Sequence, residues 1–153
     1  MVPQIGNFNK TITSMGLTYA TIELTNQYDE YKNEEGLLPL EAIRKWTGEF
    51  MIDPGAIRMA INEEIKEKLG LKNGILMNVV LADRSIKQVE MIGGIKVRFG
   101  DRTCYTDAFV LPNSTAPLLG AIPLEGMDLV VIPSENKLEY NPKHPDGALF
   151  SLK

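Results

Sequence analysis

From Ile75 to Tyr140 the chain repeats one pattern, in which apolar runs, many of them alternating with polar residues, are cut by Gly, Pro or Asp. A two-residue period sends side chains to opposite faces of an extended backbone, so this pattern commits nearly half of the molecule to β structure. Leu76 to Ala82 and Ile86 to Ile92 flank Asp83-Arg84-Ser85, a polar tip suited to a hairpin turn. Ile95, Val97 and Phe99 alternate with Lys96 and Arg98 before a Gly100-Asp101 turn, and Gly93-Gly94 marks a bend or bulge in the same run. Tyr105 to Leu111, Leu129 to Ile132 and Leu138 to Tyr140 read as further strands. Upstream, Leu17 to Asn26 alternates in the same way, and Glu49 to Ile52 reads as a strand entering the Asp53-Pro54-Gly55 turn.

Helical signals are few. Asn62 is an N-cap residue, Glu63 and Glu64 suit the positive end of a helix dipole, Lys66 and Lys68 the negative end, and Gly70 the left-handed stop. Ile61, Ile65 and Leu69 recur every four residues as a short apolar stripe, which predicts a helix packed on a sheet. Ala121 to Gly126, interrupted by Pro123, holds about one turn. Glu41 to Trp46 can begin as a helical turn, whereas Tyr28 to Leu38 is polar, acidic and without a core face. The stretch near 27–39 is therefore expected to be a loop or insertion. Residues 1–14, with few bulky side chains, are expected to form a flexible arm, leaving 15–153 as one domain. Six or more strands with one or two short helices describe a mainly β barrel or sandwich.

Charge and cysteine content narrow the function classes. The 153 residues carry 16 Lys and Arg against 20 Asp and Glu, a net charge of −4, with no basic cluster. That balance argues against a nucleic-acid partner, which needs clustered cations to neutralise phosphates. Cys104 is the only cysteine, so no intrachain disulfide forms and a cytoplasmic setting is expected. The first fifteen residues contain no signal-like apolar stretch, and the longest mostly apolar run, Ile75 to Ala82, is far short of a membrane span of ~20 residues. No membrane partner is expected.

Several chemistries are excluded by residue type. His144 is the only histidine and lies in the Pro-rich segment Asn141-Pro142-Lys143-His144-Pro145, a poor place to hold a base against a nucleophile. One Cys and one His cannot supply the ligands of a structural zinc site. Gly93-Gly94 lacks the Lys-Ser or Lys-Thr of a phosphate loop. Carboxylate chemistry remains. Asp83, Asp101 and Asp107 lie in or beside predicted turns, Asp128 starts a strand, and Asp146 lies in the tail. Asp53 is distinguished by Phe50-Met51-Ile52 before it and Pro54-Gly55-Ala56 after it, although Asp-Pro-Gly is also a common turn signal in its own right.

Phe50-Met51-Ile52-Asp53-Pro54-Gly55-Ala56, followed 65 positions later by Leu118-Leu119-Gly120, resembles the two landmarks of retropepsin-like (clan AA) aspartic proteases. In that family an apolar-Asp-Thr/Ser-Gly-Ala loop meets an apolar-apolar-Gly segment, with a helix and a flap hairpin between them. The chain is similar in particular to the small cellular members, through Leu69-Gly70-Leu71, Ala82-Asp83 and Leu118 to Glu125. The likeness covers roughly Met15 to Lys153. Met91 to Arg98 also looks like a retroviral flap, but the family's hairpin length places the tip at Asp83 to Ser85. One departure stands out: Pro54 occupies the place of the family's Thr or Ser and supplies neither hydroxyl nor N–H.

The resemblance implies a closed β-barrel of the acid protease fold and a homodimer in which Asp53 of each subunit forms a catalytic dyad. Such a pair shares one proton because two adjacent carboxylates cannot both ionise. Pro54, Gly55 and Ala56 would form the active-site loop, Leu118, Leu119 and Gly120 would support it, and a flap of Ala82, Asp83, Arg84 and Ser85 would close over an extended peptide substrate. No metal or organic cofactor is implied. Two rivals stay open: the same dimeric fold kept for peptide binding or assembly, and an unrelated β domain with an Asp-Pro-Gly turn.

Overall fold

A computed structural model describes residues 17–152. The expected arm at 1–14 lies outside the described residues. The fold is mainly β. Its strands are β1 (Tyr19–Asn26), β2 (Lys45–Ile52), β3 (Met59–Asn62), β4 (Ile75–Val80), β5 (Ile86–Phe99), β6 (Arg102–Leu111), β7 (Leu118–Leu119), β8 (Leu129–Ile132) and β9 (Lys137–Tyr140). Seven strands form one sheet in the order β1-β2-β7-β3-β6-β5-β4, and β8 pairs with β9 as a separate ribbon. The β2–β7 and β3–β6 ladders are parallel and the others antiparallel.

The pairing returns on itself through β5. This strand is 14 residues long and serves three neighbours: its first half pairs with β4, its second half with β1 from Glu23↔Arg98 to Asn26↔Ile95, and β6 runs along both halves. The change of direction occurs between Ile92 and Ile95, where the register shifts as the Gly93-Gly94 pair predicts. Gly94 has a φ of +83°, and a β-carbon there would run into the Tyr28 ring.

Alternation along the strands fills the interior. Ile22 and Leu24 of β1, Phe50 of β2, Ile61 of β3, Ile92, Ile95 and Val97 of β5 and Leu119 of β7 are all buried in one core. Helix α2 (Glu63–Leu69) covers part of it with Ile65 and Leu69. The Asn62 side chain accepts from the Ile65 N–H at 2.9 Å and Gly70 stops the helix at φ +67°, as the sequence predicts. Ile61, expected on the helix stripe, belongs instead to β3, because the chain stays extended up to the Asn62 cap.

The insertion differs from expectation. Gln27–Glu34 is a helix, α1, followed by a short 3-10 turn at Leu40–Ala42. With α3 (Ala121–Gly126) the described residues hold three α-helices, where one or two were expected. Helix α1 has no apolar stripe, and Tyr28 and Tyr31 are exposed. Polar anchors replace the stripe: the Asn26 side chain caps the Asp29 N–H at 3.0 Å, and the buried Asp29 carboxylate takes the backbone N–H of Arg44 at 3.0 Å and its Nε and Nη2 at 2.9 and 3.0 Å. Burying a carboxylate is tolerated when its lone pairs are met in this way. Among the described residues, no helix is long and apolar enough to cross a membrane.

Candidate active site

Asp53 follows the last residue of β2 and builds its own turn. Its Oδ1 accepts from the Gly55 N–H at 2.9 Å, and its carbonyl accepts from the Ala56 N–H at 3.1 Å. Proline suits the position between them, where a turn uses φ near −65° and needs no donor. Asp53 is half-buried while Pro54 and Gly55 are exposed, so the carboxylate is open to solvent. Among the described residues no donor reaches its Oδ2.

A segment distant in sequence clasps this turn. β7 runs parallel to β2, with Met51 opposite Leu118 and Ile52 opposite Leu119, and the Asp53 N–H donates to the Leu119 carbonyl at 2.9 Å. Beyond it, Ala121 N–H donates to the Ala56 carbonyl at 2.7 Å and Ile122 N–H to the Ile57 carbonyl at 2.8 Å. Gly120 stands at the crossing. A β-carbon there would lie 2.5 Å from the Arg58 carbonyl oxygen and 2.7 Å from that of Ala56, so the two backbones can touch only at glycine. Asp53, Pro54, Gly55 and Ala56 are thus brought together with Leu118, Leu119 and Gly120.

A cavity of about 720 Å³ opens beside Asp53, between the start of β1, α3 and β8. Leu17, Met51, Leu124 and Val131 make its walls largely apolar, and Asp53 and Glu125 are the ionisable groups among the described residues that line it. An apolar pocket with a few convergent polar groups is the usual form of a ligand site.

Ala82, Asp83, Arg84 and Ser85 lie at the tip of the β4–β5 hairpin. Asp83 Oδ1 accepts from the N–H and Oγ of Ser85, Arg84 N–H donates to the Leu81 carbonyl at 2.9 Å, and Arg84 takes φ +70°. The tip is exposed, as are Ile75, Leu76, Val80 and Ile86 along the hairpin. It is not among the described residues that wall the Asp53 cavity.

Two further expectations change. Asp107 lies within β6, with its carboxylate 3.2 Å from Arg58 Nη1, because β3 and β6 run side by side there. His144 is not in a loose tail: it is half-buried, with Nδ1 2.6 Å from Asp128 Oδ2. Asp128 itself precedes β8, in a turn at φ +55°. The Asn141 side-chain amide, the Leu149 N–H and His144 hold its carboxyl at a pKa of about 2. Neither residue carries a local motif, and only the folding back of the tail joins them. No protein-family model matches the chain, and no curated protein matches it at a significant level.

Proposed function

We propose that the protein is a retropepsin-like aspartic endopeptidase, a closed-barrel subunit that hydrolyses peptide bonds through a dyad of two Asp53 side chains at the axis of a homodimer. The observation that carries this reading is the clasp: Asp53 at the end of β2, its Oδ1 on Gly55 N–H and its own N–H on the Leu119 carbonyl of a parallel β7. Turn signals alone account for an Asp-Pro-Gly corner. They do not account for a second apolar-apolar-Gly segment laced to it across 65 residues. The return of the sheet through the β1–β5 ladder supports the barrel.

In this mechanism one carboxylate is protonated and the other ionised. The ionised group takes a proton from a water as that water attacks the peptide carbonyl, and the protonated group donates to the developing oxyanion. A proton then passes to the leaving amine as the C–N bond breaks. The exposed apolar hairpin around Asp83 closes over an extended peptide, and its backbone N–H and C=O groups add the peptide as a strand, which tolerates varied side chains. A C2 axis supplies the second carboxylate from an identical surface.

Pro54 favours a second reading, a dimer of the same fold that binds peptides or assembles without cleaving. Lacking an N–H and a hydroxyl, it offers no hydrogen-bond donor to the facing loop, and a buried acceptor left unmatched costs ~1–3 kcal/mol. Assay of the purified protein on an unfolded polypeptide from about pH 3 to pH 7 separates the two. Cleavage that Asp53→Asn abolishes is the expected result. Cleavage by Pro54→Thr but not by the wild type supports the binding module, and undiminished cleavage by Asp53→Asn refutes the dyad, as does a strictly monomeric solution mass.

A further inference from the structure

The cavity beside Asp53 is one-sided in its polar groups. Its ionisable lining residues, Asp53 and Glu125, are both acids, and no Lys, Arg or His stands among the described residues that wall it. Ala121, Leu124 and Glu125 line it from α3, at the i, i+3 and i+4 spacing that gathers side chains on one side of a helix. Glu125 is exposed, and among the described residues its carboxylate meets no cation and no hydrogen-bond donor. Thr18 lines the same cavity at only 4% exposure, and no partner among the described residues meets its hydroxyl. Buried hydroxyls are ordinarily hydrogen-bonded, which marks this one as a group for a ligand to satisfy.

We propose that this cavity receives a Lys or Arg side chain of a bound polypeptide, its alkyl stem along the apolar walls and its cation on the Glu125 carboxylate. Such selection rests on Asp53 being the centre of a peptide site, as proposed above, whether or not that site cleaves.

Lys and Arg combine what the two kinds of wall require. Their stems pack on apolar surface while the charged head stays at a polar mouth. Leu17, Met51, Leu124 and Val131 provide that surface. A carboxylate only accepts hydrogen bonds, and an ammonium or guanidinium only donates them. Glu125 therefore matches a donor-rich head, and the Thr18 hydroxyl supplies a further acceptor within the cavity. Pro54, in the same lining, has no N–H to offer an anion. An aliphatic side chain would cover these walls but strip water from Glu125 without replacing it, and an acidic one would oppose a like charge. Because Glu125 is exposed, its ion pair is of modest strength, about fivefold in affinity.

Selection from a library of extended peptides, randomised at every position, tests the assignment. Asp53→Asn protein is used as bait, so that cleavage does not deplete the bound fraction, and the retained peptides are sequenced at one near-neutral pH. Lys and Arg are expected to be enriched about fivefold over Leu and Met at one position. Glu125→Gln, added to the bait, is expected to lose the enrichment, Glu125→Asp to keep most of it, and Glu125→Lys to favour Asp and Glu instead. Wild-type protein given an unfolded polypeptide is expected to cut at bonds a fixed number of residues from a Lys or Arg. Basic selection without any cleavage refutes the endopeptidase and upholds the subsite, whereas cleavage with no basic preference does the reverse. Equal enrichment of basic and aliphatic residues, a basic preference that survives Glu125→Gln, or a bait that retains no peptide also overturns the proposal. So does a Glu125→Lys variant that shifts the monomer–dimer balance with selection unchanged, which assigns the cavity to a second copy of the chain.

Discussion

Gly120→Ala tests whether the clasp around Asp53 depends on two backbones in contact. The glycine has φ −99°, which alanine adopts freely, so the penalty is steric rather than conformational. The added carbon would stand 2.5 and 2.7 Å from two carbonyl oxygens, and backbone oxygens cannot swing aside as a side chain would. Overpacking of this kind costs ~1–3 kcal/mol. Relief requires the strands to part, which weakens the 2.7 and 2.8 Å bonds from Ala121 and Ile122, each worth roughly 0.5–1.5 kcal/mol. Replacing glycine returns ~0.4–1 kcal/mol through the unfolded chain. The net loss is about 2–4 kcal/mol, or a fall in Tm of roughly 4–16 °C for a chain of this size. Denaturant unfolding measures it, with Gly147→Ala as the control. A β-carbon at Gly147 meets nothing within 4 Å, and that variant is expected to stay within about 1 kcal/mol of the wild type on the stable side. If Gly120→Ala unfolds at the wild-type midpoint with an unchanged slope, the close approach is not what shapes this site.

Three other outcomes follow from the same contacts. Arg44→Ala strands the buried Asp29 carboxylate, and because Arg44 is itself 46% exposed the expected loss is discounted to about 2 kcal/mol, read by chemical unfolding at neutral pH. The Arg44 hydrogen bonds hold the Asp29 carboxyl below its ordinary 3.8, so this stabilisation is complete above that pH and is lost as pH falls through the lowered value; acid titration of stability should flatten in the variant. Burial pushes the Cys104 thiol from 9.0 up to about 11, so at about pH 8 its thiolate is roughly a hundredfold scarcer than in the unfolded chain. Alkylation of the folded protein should slow by about that factor, and equal rates folded and unfolded would contradict the burial. Asn62→Ala removes the cap of α2 and is expected to cost ~1 kcal/mol in thermal unfolding.

Local rules carried the reading furthest where neighbours in sequence are neighbours in space. The β4–β5 hairpin with its Asp83 to Ser85 tip, the Gly93-Gly94 irregularity and the α2 helix between Asn62 and Gly70 each follow from period, cap or turn chemistry within about ten residues. The candidate site was legible in pieces, since Asp53 to Ala56 and Leu118 to Gly120 are recognisable segments. Their lacing is visible only in the parallel β2–β7 pair, because a parallel ladder joins strands far apart in the chain. Helix α1 escaped for the opposite reason. Its sequence has no apolar stripe, and its stability comes from Asp29 meeting Arg44, fifteen residues away.

His144 and Asp128 show the same division most sharply. In sequence the first is a lone histidine among prolines and the second an acid at the head of a strand, and nothing local relates them. The alternation of apolar residues is a property of each short segment, so the amino-acid order alone determined that the chain would be mainly β and that it would turn at Asp53 to Gly55, Asp83 to Ser85 and Gly100-Asp101. Hydrogen bonds between charged and polar groups form wherever the backbone happens to bring donors to acceptors, so tertiary structure alone decided that Asp128 would collect Asn141, His144 and Leu149, and that Gly120 would touch the turn of Asp53.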